Sequence, residues 1–326
     1  MTQGRPQPPR SKVDPGPQGD VPRVIHSGVA TFFDRPLRSV DTIGDAKCAI
    51  AGIPWDEGNA GRNGANGGPR AFRDVSSWFL SYDAQRDFDL WETLPTVDVG
   101  DVPVVPPNAE RTMGLIADHV RAVRAASALP VCVGGNHALA IGAARGAATS
   151  VGRMGYLSVD AHLDTAPDWS GEIYSSGCPT FRAAEIPNVD PRNVVVFGPH
   201  GWLNPRSQVE AARALGISWF GIERILAIGL DAALDEAIAI ASDGVDGLYV
   251  SFDLDSIDAA SMPGTGTPEP GGLTSREALH VARRLGRARP IAFDVVELAP
   301  IYDLSGISAR MAAGVVMALL SGYCGQ

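Results

Sequence analysis

The sequence predicts a doubly wound α/β domain, a parallel sheet covered by helices on both faces. Three observations carry this expectation: short continuous apolar runs recur along the chain, amphipathic helical patterns separate several of them, and no internal repeat or second composition regime interrupts the series. Strands buried on both faces read as unbroken apolar runs, and alternation with helices points to parallel pairing. Residues 1–22 carry Pro6, Pro8, Pro9, Pro15, Pro17 and Pro22 among Gly, Gln and charges. Such a segment buries too little apolar surface to offset its ordering entropy, so a flexible arm is expected there. One folded domain is expected over 23–326. The first strand is expected at 48–53, entered at Lys47 and stopped by Pro54, with further strands at 129–134, 155–159, 194–198, 247–252 and 291–295. Helices are expected at 112–126, 230–242 and 275–285.

Composition narrows the function. With 45% apolar and 20% charged residues the chain has ample material for a core, and its net charge of −10 disfavours a nucleic-acid partner, because phosphates would be repelled. No apolar stretch approaches the ~18–20 residues of a membrane span. Arg5 and Arg10 have no apolar segment behind them, so a secretory signal is not expected either. Cys48, Cys132, Cys178 and Cys324 are widely scattered, as free thiols of a cytoplasmic protein would be.

Three segments concentrate acidic and imidazole side chains directly after expected strands: Gly134-Gly135-Asn136-His137, Asp160-Ala161-His162-Leu163-Asp164 and Asp253-Leu254-Asp255. Side chains two apart share a face of extended chain, so each Asp/His step presents its ligands together. The carboxyl ends of parallel strands are also where open sheets bind ligands. Two His and four Asp suit a pair of Mn²⁺, Ni²⁺, Zn²⁺ or Fe²⁺ ions better than a thiolate-loving metal. Such a pair can deprotonate a shared water near neutral pH, which points to a hydrolase.

With Pro263-Gly264-Thr265-Gly266-Thr267-Pro268 downstream, and with Gly52-Ile53-Pro54-Trp55-Asp56, Gly67-Gly68-Pro69 and Asp294-Val295-Val296-Glu297, the chain resembles the ureohydrolases, which comprise arginases, agmatinases and related guanidino-acid hydrolases. The Gly-Thr-Gly-Thr-Pro run and the entry segment Ser27-Gly28-Val29-Ala30-Thr31-Phe32 are similar to the agmatinase-like branch. The resemblance implies a three-layer α/β/α fold with a central, mainly parallel sheet, a single ureohydrolase-like catalytic domain at 23–326, and two divalent ions, Mn²⁺ first and Ni²⁺ as the alternative. It makes His137, Asp160, Asp164 and Asp253 ligands of one ion and His162, Asp160, Asp253 and Asp255 ligands of the other. Asp164 would also steer the nucleophilic hydroxide and relay a proton to the departing amine. Glu297 would pair with the guanidinium of a small cationic substrate and Thr267 would lie beside it. The implied reaction releases urea, or a urea derivative, and an amine. A homo-oligomer, trimer or hexamer, is implied as well.

Departures from the family pattern bear on the substrate. Asn136 stands where the pattern has Asp, beside the site, and is taken as a substrate-side residue. The stretch Ser175-Ser176-Gly177-Cys178-Pro179-Thr180 lacks a histidine that many relatives carry, and His200 is the candidate to replace it. The loops bearing Trp55, Asp56, Asn59, Trp169, Glu172 and Tyr174 are expected at the pocket mouth, Trp169 in contact with substrate. Their aromatic content admits a linear guanidino acid or amine, a compact N-alkyl guanidine or a biguanide. Two other readings stay open: a catalytically weak metal-binding subunit that supports an active paralogue in a hetero-oligomer, and a polyamine deacetylase-type hydrolase.

Overall fold

A computed structural model describes residues 28–325; the proline-rich segment 1–22 lies outside the described residues. The strands are β1 (Cys48–Ile53), β2 (Tyr82–Asp83), β3 (Phe88–Asp89), β4 (Thr96–Asp101), β5 (Leu129–Gly134), β6 (Met154–Val159), β7 (Val194–Phe197), β8 (Ser218–Phe220), β9 (Gly247–Asp253) and β10 (Ala292–Val296). The helices are α1 (Gly68–Ser76), α2 (Leu90–Thr93), α3 (Ala109–Ala125), α4 (Leu139–Ala148), α5 (Pro179–Ala184), α6 (Arg206–Leu215), α7 (Ile222–Ile228), α8 (Leu230–Ser242), α9 (Ser275–Arg287) and α10 (Ile307–Tyr323). Eight strands form one sheet in the order β4-β1-β5-β10-β9-β6-β7-β8, and every pairing in it is parallel. β2 and β3 form a small separate hairpin.

The strand side chains sort by parity into two cores, as a sheet covered on both faces requires. Leu157 and Val159, Val250 and Phe252, and Phe293 and Val295 meet one helical layer containing residues of α1, α8, α9 and α10. Met154 and Tyr156, Tyr249, Ala292 and Val296 meet the other, which contains residues of α3, α4, α5 and α6. The three-layer α/β/α expectation therefore holds.

Local chemistry explains the best-defined boundaries. Thr274 caps α9 by accepting from Glu277 N–H, while the Glu277 carboxylate takes Thr274 N–H at 2.8 Å, a reciprocal box that starts the helix at Ser275. Gly216, in the left-handed region at φ 78°, ends α6. Two strands of the main sheet escape the apolar-run criterion: β4 reads Thr-Val-Asp-Val-Gly-Asp because it is an edge, and β8 has only three residues. Helix α10 has eleven buried residues among its seventeen and hence no polar stripe to betray it. No helix among the described residues is long and apolar enough to cross a membrane.

Topology creates the crevice. After β5 the chain jumps to β6 and grows outward through β7 and β8; β9 and β10 then return to fill the gap between β5 and β6. The four central strands end nearly level, with Val159 beside Phe252, Asp253 beside Val296 and Val295 beside Val133. Residues following β5, β10, β9 and β6 are thus delivered to one place, the reversal point where such sheets bind ligands.

Candidate active site at four adjacent strand ends

The turn after β5 is tight because Gly135 runs against the chain leaving β1. A Cβ there would sit 2.3 Å from the Trp55 carbonyl oxygen, and Gly135 N–H donates to Ile53 O at 3.0 Å. This turn sends His137 inward, where it is 1% exposed. Its Nδ1 lies 3.1 Å from Asp160 Oδ2, 2.8 Å from Asp164 Oδ2 and 3.2 Å from Asp253 Oδ2. On the other side of Asp160, His162 Nδ1 lies 3.6 Å from Asp160 Oδ1 and 3.1 Å from Asp255 Oδ2. The two oxygens of Asp160 therefore face two different imidazoles. The groups His137–Asp160–Asp253 and Asp160–His162–Asp255 are each compact enough to hold one metal ion.

A buried polar chain backs His137. Ser251 Oγ–H donates to Asp294 Oδ1 at 2.6 Å, and the Tyr249 hydroxyl donates to Asp294 Oδ2. With its own proton spent, Ser251 Oγ accepts from His137 Nε2–H at 2.9 Å. Nδ1 is left as a lone pair among three carboxylate oxygens, with no hydrogen-bond partner of its own. That arrangement is repulsive unless a proton or a metal cation sits between them, and the donor set is one that a metal centre fits.

The electrostatics agree. Burial opposes charge on His137 and His162, yet the surrounding aspartates push both well above the ordinary imidazole range. Burial and the neighbouring Asp160 raise Asp164 to about 6, and burial with Asp255 and Asp160 drives Asp253 well up. Burial acts against ionised Asp255 too, but His162 and the Thr267 hydroxyl outweigh it and hold that carboxyl at about 2. Four aspartates face two imidazoles here, so the site lacks positive charge.

Glu297 follows β10 at φ 67° and Asp164 sits at φ 50°, left-handed conformations that cost of order 1–3 kcal/mol in a residue with a side chain. Glu297 is 3% exposed; its Oε1 accepts from His137 N–H at 2.7 Å and its Oε2 has no partner. Burial raises it to about 8. Thr267 Oγ1–H donates to Asp255 Oδ2 at 2.8 Å. A cavity of about 220 Å³ opens above these groups, with His137, His162, Asp164, Asp253, Asp255, Thr267 and Glu297 at its floor and Trp169 on its wall.

Two expected site residues are not among those lining the cavity. Asn136 does not reach the cavity, because its amide N–H donates to Glu57 O at 3.0 Å and its Oδ1 accepts from Ala138 N–H at 3.2 Å. His200 does not reach it either: its Nδ1 is 2.8 Å from Gly198 O and its far edge lies against Gly272. Of the loop residues expected at the mouth, Trp169 lines the cavity, whereas Trp55 is buried and Tyr174 packs beneath Arg145. The remaining wall residues, Ala60, Ser176, Gly177, Trp202, Leu203, Pro205 and Gln208, carry no spacing signal in the sequence.

With this geometry in place, comparison with known proteins is direct. The Arginase family profile matches residues 46–322. The chain belongs to the arginase family. A guanidinopropionase of Pseudomonas aeruginosa is 33% identical over 305 residues, covering 92% of this chain and 93% of its own length. An agmatinase of Chromobacterium violaceum is 33% identical over 301 residues, covering 90% and 88%. Among solved structures, the proclavaminate amidinohydrolase of Streptomyces clavuligerus superposes with a TM-score of 0.84 at 29% identity over 93% of this chain and 99% of that one. Arginase-family proteins use a binuclear divalent-metal cluster and hydrolyse C–N bonds of amidines, and two candidate ligand groups are present in this chain.

Proposed function

We propose that this protein is a binuclear-metal amidinohydrolase that cleaves a small guanidino compound to an amine and urea or a urea derivative. The observation that carries the reading is the convergence, beneath one cavity, of two imidazoles, four aspartates and a buried glutamate with a free oxygen. His137, Asp160, Asp164 and Asp253 would hold one divalent ion and His162, Asp160, Asp253 and Asp255 the other, Mn²⁺ first and Ni²⁺ as the alternative. When bound, such a pair brings a water toward deprotonation at neutral pH and stabilises negative charge developing on oxygen.

The chain's own residues do the rest. Glu297 offers Oε2 to the guanidinium N–H groups, a charge-assisted contact that a planar cation suits. Its other oxygen is pinned by His137 N–H, so the carboxylate is oriented before substrate arrives. Thr267 fixes Asp255 through their hydrogen bond. Asp164, strained and facing the cavity, is placed to take a proton from water and hand it to the leaving nitrogen. His200 and Asn136, neither of which lines the cavity, have no part in this scheme. The weak-subunit alternative drew on Asn136 and the missing histidine, and nothing in the placement of Asn136 favours it; no observation favours a deacetylase. The free thiols suit a reducing cytoplasm, and a homo-oligomer is part of the reading.

The test is to load the protein separately with Mn²⁺ and Ni²⁺ and assay urea and amine release from a panel of guanidines. Cleavage of any one establishes the reaction. Two metals bound per chain with no guanidine cleaved would sink it.

A further inference from the structure

The cavity changes character between floor and mouth. Its floor is anionic and matched to one guanidinium, but among the described residues lining it there is no arginine or lysine to receive a substrate carboxylate. Nearby cations are already engaged: Arg62 donates to Gly266 O at 3.2 Å and to Thr265 O at 3.1 Å and lies on the Tyr302 ring, and Arg182 donates to Pro167 O at 2.7 Å. No carboxylate lines the mouth for a substrate ammonium either. Trp169, Trp202 and Leu203 line it instead, at 40%, 98% and 54% exposure, and beside them Gln208 is only 4% exposed. Gln208 Oε1 is buried without a hydrogen-bond partner among the described residues, an acceptor left over on the wall of the cavity. Gly177 keeps this end open, since a Cβ there would lie 3.4 Å from the Trp169 ring and 3.9 Å from Gln208 Nε2.

From this wall we infer that the substrate is a guanidine whose N-substituent is compact and uncharged, its apolar body against Trp169 and Trp202, and that Gln208 is the specificity-determining residue. A charged tail would lose water at the mouth without gaining a partner, whereas an alkyl body gains from burial. The neutral Gln208 amide accepts an N–H of the substituted nitrogen without demanding a charge. The inference rests on the amidinohydrolase reading and adds the class of substrate to it.

The experiment compares three guanidines that share a four-carbon chain and differ only at its end: n-butylguanidine, agmatine and 4-guanidinobutyrate. Metal-loaded protein is assayed for amine and urea release and, separately, titrated with each compound by calorimetry. Butylguanidine is expected to exceed both charged analogues in kcat/KM by about ten-fold or more. Gln208→Glu, near-isosteric and checked for unchanged metal content and melting temperature, is expected to raise agmatine relative to butylguanidine by about ten-fold. Preference of the wild type for agmatine or 4-guanidinobutyrate would overturn the inference, as would an unchanged ratio in Gln208→Glu. If no compound is cleaved, the amidinohydrolase reading fails, and the calorimetric ranking alone decides the inference: tighter binding of butylguanidine upholds it, and tighter binding of a charged analogue overturns it.

Discussion

Apart from Thr267, the floor of the cavity is made of residues within five positions of the ends of four adjacent strands, while its mouth is gathered from loops after β1, β6 and β7 and from α6. Floor residues inherit their placement from the hydrogen-bonded ladder: Asp253 is itself in register with Val296, and Asp160 follows one residue after Val159, the partner of Phe252. Mouth residues inherit theirs from segments tied at fewer points, such as Ser176 Oγ accepting from Ala60 N–H at 2.8 Å. Chemistry that demands sub-ångström placement sits on the sheet, and recognition that varies with substrate sits on loops, as a scaffold-and-loop division predicts.

The most severe way to break the floor is Asp253→Ala. Its carboxylate stands between His137 and Asp255, so metal binding and turnover should go together. Losing several kcal/mol of charge stabilisation corresponds to a fall of roughly a thousand-fold or more in kcat. Metal content by atomic emission, read beside urea release, checks this; full activity in the variant would refute the metal assignment.

A gentler cut is Ser251→Ala, which touches neither cavity nor substrate. It removes the acceptor of His137 Nε2–H and one of the two hydroxyls on Asp294. Partners that orient a ligand imidazole commonly matter ~10–100-fold in metal affinity. A chelator competition should show that loss at constant stoichiometry; unchanged affinity would mean the buried chain serves the core alone. Thr267→Val should cost less, about ten-fold in kcat/KM, for one hydrogen bond to a charged partner, and Thr267→Ser should restore it.

The same division explains what was legible beforehand. Asp160-Ala161-His162-Leu163-Asp164 and Asp253-Leu254-Asp255 announce themselves because period-two chemistry survives in the linear sequence, and the apolar runs of β5, β6, β9 and β10 place them. Glu297 was legible only through the family resemblance, since one carboxylate after a strand has no signature of its own. Gln208 could not be read, because it lies in a helix 44 residues after Asp164 and meets it only through the fold. Asn136 shows the limit of adjacency: it precedes His137 along the chain, yet its side chain is tied to Glu57 O and Ala138 N–H and is not among the residues lining the cavity. Asn136→Asp tests the point. Its carboxylate would face the Glu57 carbonyl without a proton to donate, lowering stability by about 1–3 kcal/mol while metal stoichiometry stays at the wild-type value. A changed stoichiometry would place this residue with the floor after all.

The effect with no bearing on metal or turnover lies outside both regions and provides their control. His119 sits on α3 with Nε2 buried and unpartnered, and burial lowers its pKa from 6.5 to about 4. The folded state therefore resists a proton that the unfolded chain accepts. Stability from this group is fully present above pH ~6.5 and is lost as pH falls toward 4, with a slope of at most about 1.4 kcal/mol per pH unit. His119→Gln should flatten that part of the denaturant-derived stability profile while leaving metal affinity and the pH dependence of urea release as they were. Subtracting the two profiles separates acid loss of the fold from acid loss of the floor. An unaltered stability profile in His119→Gln would assign the whole acid limb to the aspartate–histidine cluster.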